Sequence, residues 1–410
     1  LEVMSFSEVE LLGSQETTVT PRSQPTPEDL CIIMYTSGTT GIPKGVLIKN
    51  KNLVASVAGV AAGFELDFTK GSTYLAYLPL AHILECAAET YILSVGGKLA
   101  YGNPRTLTDA NAKPCGDFAA AKPDLFCGVP RIYDTIRKTV IGKLDDPASG
   151  ALKKLLFNVA FESKRAAIQA GRDTPLWNLI IFNKLKALVG GKARFILSGG
   201  APLSAETHEF IRVCFNASVV QGYGLTETCA GLTTQSQFVK LTTGNIGAPI
   251  PAVEVKLVSI PEMGYLSTDP KPRGEVWARG ECVTSGYYAK DSEDFDSDGW
   301  FHTGDIAELQ DDGTFRIVDR KKNLVKLDHG EYVALEKVES AYANSNFVSP
   351  NGICIYADSE HSYVIGLILP DVLNAKNWAA KNNLDDSDLI TLYKNPAFIK
   401  AVKESLDAEA

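Results

Sequence analysis

The chain has 410 residues, enough for two or three domains at roughly 100–200 residues each, which excludes a peptide or a lone binding module. Hydrophobic residues make up 45% and charged residues 22%, close to ordinary globular usage, so disordered, collagenous and coiled-coil classes fall away. Lys and Arg number 40 against 49 Asp and Glu, a net charge of −9, and without a long basic run this argues against a nucleic acid as partner.

The eight cysteines (31, 86, 115, 127, 214, 229, 282 and 354) are scattered, with no CxxC pair and no zinc-finger spacing, which suits a reduced, intracellular setting. The longest apolar stretch, near Leu53–Phe64, falls well short of the roughly 20 residues a bilayer needs. The first residue is Leu1, no signal-peptide pattern follows, and Leu406–Ala410 still reads as helix interior, so both ends are expected to be cut.

In chain order, residues 21–29 hold three prolines among polar residues and read as a linker or long surface loop. Leu30–Tyr35 has strand character, a run of Thr, Ser and Gly follows, and Val46–Ile48 is a second strand. Strand-like runs at Thr73–Leu78, Lys98–Tyr101, Leu125–Val129, Ala193–Ser198 and Ser218–Gln221 alternate with helical periods at Ala151–Ala170 and Ser204–Phe215. This alternation predicts an α/β fold with a partly parallel sheet over residues 30–245. Residues 246–319, with alternating strands at Val253–Val258, Gly274–Arg279 and Thr314–Asp319, predict a small β subdomain. A second, smaller α+β unit over 323–410 follows, with a helix in Val333–Tyr342 whose Leu335, Val338, Ala341 and Tyr342 share one face. Strands at Gly352–Tyr356 and Tyr363–Leu369 and then mostly helix complete it.

Five segments carry candidate chemistry. In Tyr35–Gly45, the glycines and the hydroxyls of Thr36, Ser37, Thr39 and Thr40 let backbone N–H groups and Oγ atoms converge on an anion, with Lys44 supplying charge. It is not a Walker A loop, because Pro43 precedes Lys44 and Gly45 follows it. In Gln221–Thr228, Tyr223 offers a stacking face for a base and Glu227 a hard oxygen for Mg²⁺. In Asp298–Lys322, Asp305 and Arg320 suit a diol beside an anion. Ser198–Ser204 either lets Gly199, Gly200 and Ala201 approach a flat base or forms a strand-to-helix turn with Ser204 as N-cap. His82, in the apolar Tyr77–Leu84, is either a core histidine or a site residue, while His208, His302 and His361 read as structural. No Ser-His-Asp, Cys-His or HExxH arrangement is present.

These motifs, in this order, resemble the adenylate-forming superfamily, and Asp298–Lys322 resembles the signature stretch of its long-chain fatty acyl-CoA synthetases. The resemblance implies an α/β adenylate-forming fold, a large domain of mixed and parallel sheets with a small β subdomain, then a mobile α+β lid. It implies two steps: a long-chain fatty acid and ATP give acyl-AMP and pyrophosphate, then CoA takes the acyl group as thioester. Lys44, Thr226, Glu227 and His82 would be catalytic, with Mg²⁺ on Glu227. Thr36, Ser37, Gly38, Thr39, Thr40, Gly41, Lys44, Gly199, Gly200, Ala201, Gln221, Gly222, Tyr223, Gly224, Thr226, Asp305 and Arg320 would bind the nucleotide. Lys322, in 320–322, would be the hinge, and Gly330 would border the CoA tunnel. The parent protein would work inside the cell, at the cytosolic face of a membrane or lipid droplet or in the cytosol. The sequence departs from the family in one respect: no Lys-Leu-Lys-Arg-like motif follows Lys403, so adenylation is expected to fall by roughly 10²–10³-fold. A non-catalytic nucleotide or acyl-adenylate binder, or a ligase for another carboxylic acid, remains the alternative.

Overall fold

The computed structural model describes residues 3–16, 23–36, 43–64, 68–145, 150–236, 242–289, 292–329, 332–385 and 387–409. Strands β1 (Leu30–Thr36) and β2 (Lys44–Lys49) pair antiparallel, as the apolar runs on either side of the glycine-rich segment predict.

Next come β3 (Thr73–Ala76), β4 (Lys98–Tyr101), β5 (Leu125–Gly128), β6 (Phe195–Ser198), β7 (Ser218–Tyr223), β8 (Thr233–Thr234) and β9 (Ala248–Pro249). They form one sheet in the order β4-β3-β5-β6-β7-β8-β9, parallel from β4 to β7 and antiparallel from β7 to β9. Every residue of β5 and β6 is buried, which is why both read as unbroken apolar runs in the sequence.

Alternation along the strands sends side chains to two cores. Leu75, Phe126, Ile196 and Val219 meet the helices Pro130–Asp145, Ala151–Gln169 and Ala205–Phe215 on one face. Tyr74, Leu125, Cys127, Phe195, Leu197 and Val220 face the helices Asn50–Phe64 and Ile83–Ser94 on the other. The parallel strands share a direction, so the segments following β3, β5, β6 and β7 gather along one edge, where α/β sheets bind ligands.

The alternating strands after β9 form a second sheet. β10 (Val253–Val258), β11 (Arg273–Gly280), β12 (Phe301–Leu309) and β13 (Phe315–Arg320) pair antiparallel in sequence order over Leu232, Val276, Ala278, Ala307 and Phe315. Then follow β14 (Leu324–Lys326) paired with β15 (Tyr332–Ala334), and β16 (Val348–Tyr356) paired with β17 (Ile365–Pro370). Helices Val372–Lys381, Leu389–Tyr393 and Pro396–Asp407 close over Ala375, Ala379, Leu392 and Phe398.

Three local expectations are corrected. Residues Val333 and Ala334 belong to β15, paired with Val325 and Leu324, so the helix begins only at Leu335. The last helix ends at Asp407, with Ala408 and Glu409 in a turn. The helix Phe6–Gln15, closed by a Ser5–Glu8 capping box, was not read from the sequence because it buries no side chain and so carries no core-facing stripe. Among the described residues no helix is long and apolar enough to cross a membrane.

One buried acid gives the fold a pH dependence. Glu85 is fully buried, accepts a 2.6 Å hydrogen bond from the Tyr74 hydroxyl through Oε2, and leaves Oε1 without a partner. Burial pushes its carboxyl up to about 7, against the Tyr74 bond. The native protein therefore keeps a proton that the unfolded chain releases above about 4.5. Stability is expected to fall by up to about 3 kcal/mol as pH rises from the unfolded to the folded value. Glu85→Gln should flatten that slope in urea unfolding measured from pH 4.5 to 8, and an unchanged slope would refute the assignment.

Candidate active site

Lys44 opens β2 and points its Nζ at Asp294 Oδ2, 2.8 Å away, and over the Tyr287 ring, 4.7 Å from its centroid. The segment bearing Tyr287 is stitched to β2: Tyr288 N donates to Gly45 O at 2.7 Å, Leu47 N to Gly286 O at 3.1 Å, and Thr284 Oγ1 to Leu47 O. Thr284 N also donates to Glu227 O at 2.8 Å, which draws in the single turn Thr226–Thr228. The Tyr287 hydroxyl lies 2.9 Å from Glu227 Oε1 and 3.1 Å from Asp294 Oδ2, so its one proton is shared between two carboxylates. Burial and those neighbours, Glu227 first, push the Tyr287 hydroxyl far above the ordinary phenol range. Burial opposes ionisation of Asp294, but Lys44, Ser292 and Tyr287 outweigh it and hold that carboxyl below its ordinary value.

The loop ahead of Glu227 folds back on itself. Leu225 N donates to Thr228 Oγ1 at 2.9 Å, and Cys229 and Ala230 both take positive φ. A Cβ added at Gly224 would sit 2.1 Å from Ala230 O, a backbone atom that cannot swing aside. Gly224→Ala is expected to cost about 1–3 kcal/mol and to displace Glu227, read as a lower melting temperature together with lost nucleotide binding.

Asp305 and Arg320 face each other across β12 and β13. Asp305 is 3% exposed; its Oδ2 accepts from the Tyr223 hydroxyl at 2.6 Å and its Oδ1 lies 3.2 Å from Arg320 Nε. Burial raises the Asp305 carboxyl while Tyr223 and Arg320 pull it down, and burial prevails. Beyond Arg320, Lys321 pairs with Glu275 at 3.2 Å.

A single cavity of about 920 Å³ joins these groups. Thr36, Lys44, His82, Gly199, Gly200, Gly222, Gly224, Thr226, Glu227, Asp305, Arg320 and Lys322, all singled out in the sequence, line it. His82 also caps the helix Ile83–Ser94, its Nδ1 accepting from Leu84 N at 3.3 Å, and burial lowers its pKa. Gly199 and Gly200 line the cavity, and Ser204 caps the helix Ala205–Phe215.

Three residues expected to contact the nucleotide are not among those that line the cavity. Ala201 is exposed and outside the lining. The Gln221 side chain accepts from Leu203 N at 3.2 Å and donates to Asn245 O at 3.1 Å, which commits it to the buried frame. Tyr223, the expected stacking ring, packs on the β10–β13 core and spends its hydroxyl on Asp305. Ser37, Gly38, Thr39, Thr40, Gly41 and Gly330 lie outside the described residues.

At its other end the cavity is apolar. Val57, Val60 and Phe64 from one helix, Leu84, Ala87, Ala88 and Tyr91 from the next, and Leu125, Cys127, Phe195 and Leu197 from β5 and β6 form its walls. Spacings of three and four on the helices and two on the strands put each set on one face.

Residues 3–288 match the sequence profile of AMP-binding enzymes. The chain belongs to that family. It is 41% identical to long chain acyl-CoA synthetase 8 of Arabidopsis thaliana, over 99% of this chain and 58% of that protein. It is 44% identical to the peroxisomal long chain acyl-CoA synthetase 6 of the same plant, over 93% of this chain and 54% of that protein. The chain thus spans a little over half the length of these curated relatives. Among solved structures, the A domain of the carboxylic acid reductase from Segniliparus rugosus, in complex with AMP and a co-purified carboxylic acid, superposes with a TM-score of 0.73 at 27% identity. That superposition covers 98% of this chain and 57% of the other.

The AMP-binding fold brings in residues the sequence did not single out. Asp294 and Tyr287 reach Lys44 across some 250 positions of chain, and no spacing rule connects them. Glu275 lines the cavity and pairs with Lys321, and Trp277 stacks on His302 with centroids 3.7 Å apart. His302, read as structural, therefore borders the cavity after all. The cross-strand pairing of Trp277 with His302 was the available signal, and it needed the register of β11 on β12.

Proposed function

We propose that the protein of which this chain forms part activates long-chain fatty acids to acyl-CoA, with ATP and CoA as co-substrates. One observation carries the reading: a polar end holding Lys44, Glu227 and Asp305 opens, within the same cavity, into a walled apolar arm. A carboxylate at the junction meets the α-phosphate of ATP in line, giving acyl-AMP and pyrophosphate, and the CoA thiolate then displaces AMP from the acyl carbonyl. Neither step needs a covalent protein nucleophile; positioning and charge neutralisation lower the barrier.

Asp305 and Arg320 would take the ribose hydroxyls and the phosphate side. Lys44 would leave Asp294 for phosphate oxygen, and Thr226 would contact the α-phosphate. His82, with Nδ1 occupied as an acceptor, would present Nε2–H towards the acyl carboxylate. Among the described residues no three His, Cys, Asp or Glu side chains gather as a metal site of their own, and Glu227 would hold the Mg²⁺ through a hard carboxylate oxygen. When bound, it would neutralise phosphate charge.

Residues 320–322, with Lys322, would be the hinge on which 323–410 turns between the two steps, bringing Gly330 towards the pantetheine path. A membrane or lipid-droplet surface inside the cell would present the water-poor substrate. The relatives' names and the carboxylic acid bound with AMP by the structural neighbour support this reading.

The test supplies palmitoyl-AMP and CoA to the 410-residue chain and follows palmitoyl-CoA by mass spectrometry. Thioester above the uncatalysed rate is expected. Folded protein that binds the adenylate and forms none would turn the assignment to a binding relative.

A further inference from the structure

Residues 151–194, which return the chain to β6, differ from the rest of the sequence in charge. They hold nine Lys and Arg against two acids, Glu162 and Asp173, a net +7 inside a chain of −9. Both acids are engaged within the segment: Glu162 Oε2 meets Arg165 at 2.7 Å, and Asp173 Oδ1 meets the buried Lys164 at 3.2 Å. Lys153, Lys154, Arg172, Lys184 and Lys192 are exposed.

The segment forms an outer layer over the helix Ala205–Phe215. Ala160 and Phe182 cluster with Val213 of that helix, and Phe161 stacks on its Phe210 with centroids 5.9 Å apart. The helix Ala151–Gln169 and the helical run 175–189 therefore lie on one support, tied to each other by Lys164, which bonds Asn178 and sits 5.2 Å from the Phe182 centroid.

Away from that support both are apolar again. Leu152, Leu155, Leu156 and Val159 recur at three- and four-residue steps on the side facing away from Phe157, Ala160 and Lys164, and are 42% to 78% exposed. Leu176, Leu179, Ile180 and Leu188 do the same on the neighbouring run, at 41% to 71%, with Lys184 one turn from both Ile180 and Leu188. A helix apolar on both sides belongs in a setting that covers both, and here one side is open.

The charge selects what covers it. A second copy of this chain would set +7 against +7, because a two-fold interface pairs a patch with itself. Anionic lipid headgroups complement the lysines, and the acyl boundary beneath them takes the leucines. Among the described residues no helix is long and apolar enough to cross a membrane, so this face would rest on the surface rather than span it.

We propose that residues 151–194 form a basic, leucine-bearing face that seats the protein on an anionic lipid surface, with the helix Ala151–Gln169 and the run 175–189 lying in the headgroup plane. The proposal deepens the lipid-surface part of the reading above. The face stands across the sheet from the helices Asn50–Phe64 and Ile83–Ser94, so it anchors the protein without lining the cavity.

The test floats the 410-residue chain with vesicles of phosphatidylcholine containing about one third phosphatidylserine, and with vesicles of phosphatidylcholine alone. Binding is expected to be at least about tenfold tighter to the anionic vesicles and to weaken as salt rises. Leu155→Ser with Leu179→Ser should weaken it at least about tenfold. Lys153→Gln with Lys184→Gln should weaken it about 10- to 30-fold, and keeps the proposal testable should the leucine pair not fold. No binding, equal affinity for the two vesicles, or unchanged affinity in the folded variants would overturn the proposal. So would a dimer that the same substitutions dissociate, which would give the face to a second copy, or binding of polyglutamate in place of vesicles, which would give it to an acidic protein. Thioester formation from palmitoyl-AMP without vesicles should be equal in all variants, and its loss in them would move the face into the active site. Thioester without vesicle binding would remove the anchor alone, and vesicle binding without thioester would remove the acyl-activating reading alone.

Discussion

Replacing Asp305 with alanine is expected to lower kcat/KM for ATP by about 10²–10³-fold, because in the proposed reading one side chain would accept from the ribose and also anchors its surroundings. Asp305 is 3% exposed and bridges Tyr223 and Arg320, 2.6 Å and 3.2 Å away. Its removal leaves the Tyr223 hydroxyl buried without an acceptor, at a cost of about 1–3 kcal/mol, and frees Arg320 to swing into solvent. Asp305→Asn keeps an acceptor for Tyr223 but drops the charge facing Arg320, so it should recover most of the stability and little of the ATP affinity. Thermal melting and ATP titration of both variants check this. Equal ATP affinity in Asp305→Asn and the parent would mean the carboxylate only supports the fold.

Glu227→Gln is expected to lower the adenylation rate by about 10²–10³-fold at fixed magnesium and to raise the magnesium concentration that restores it. The fold should survive, because the Tyr287 hydroxyl has Asp294 as a second acceptor at 3.1 Å and the turn holding Glu227 is fixed through its backbone oxygen. Adenylation is read by pyrophosphate release across a magnesium titration. A rate that falls equally at all magnesium concentrations would assign Glu227 to positioning Tyr287 and Lys44 instead of the metal.

Much of the site was legible because its parts are local. A glycine-rich hydroxyl segment between two strands, a carboxylate ahead of a tight turn, and an Asp and an Arg joined through one hairpin all have short-range signatures, and each described partner lines the cavity. Tyr223 shows where such reading leaves a choice open. An aromatic ring in a glycine-rich segment is equally fit to stack a base or to pack a core, and only the arrival of β12 supplies the Asp305 acceptor that fixes its hydroxyl. The Gln221 amide likewise meets Leu203 and Asn245 only after the segment near Asn245 folds over it.

The alternation of strands and helices, the partly parallel sheet it predicts, the motifs and the family they resemble were legible in the sequence alone. Those follow from periodicity, turn chemistry and residue type, which act over a few positions at a time. Only the folded chain sets which acid faces Lys44 and brings His302 to the cavity beside the singled-out His82. Asp294 and His302 acquire those places from strand register and packing between segments far apart in the chain, and such residues carry no mark of these contacts until the chain has closed on itself.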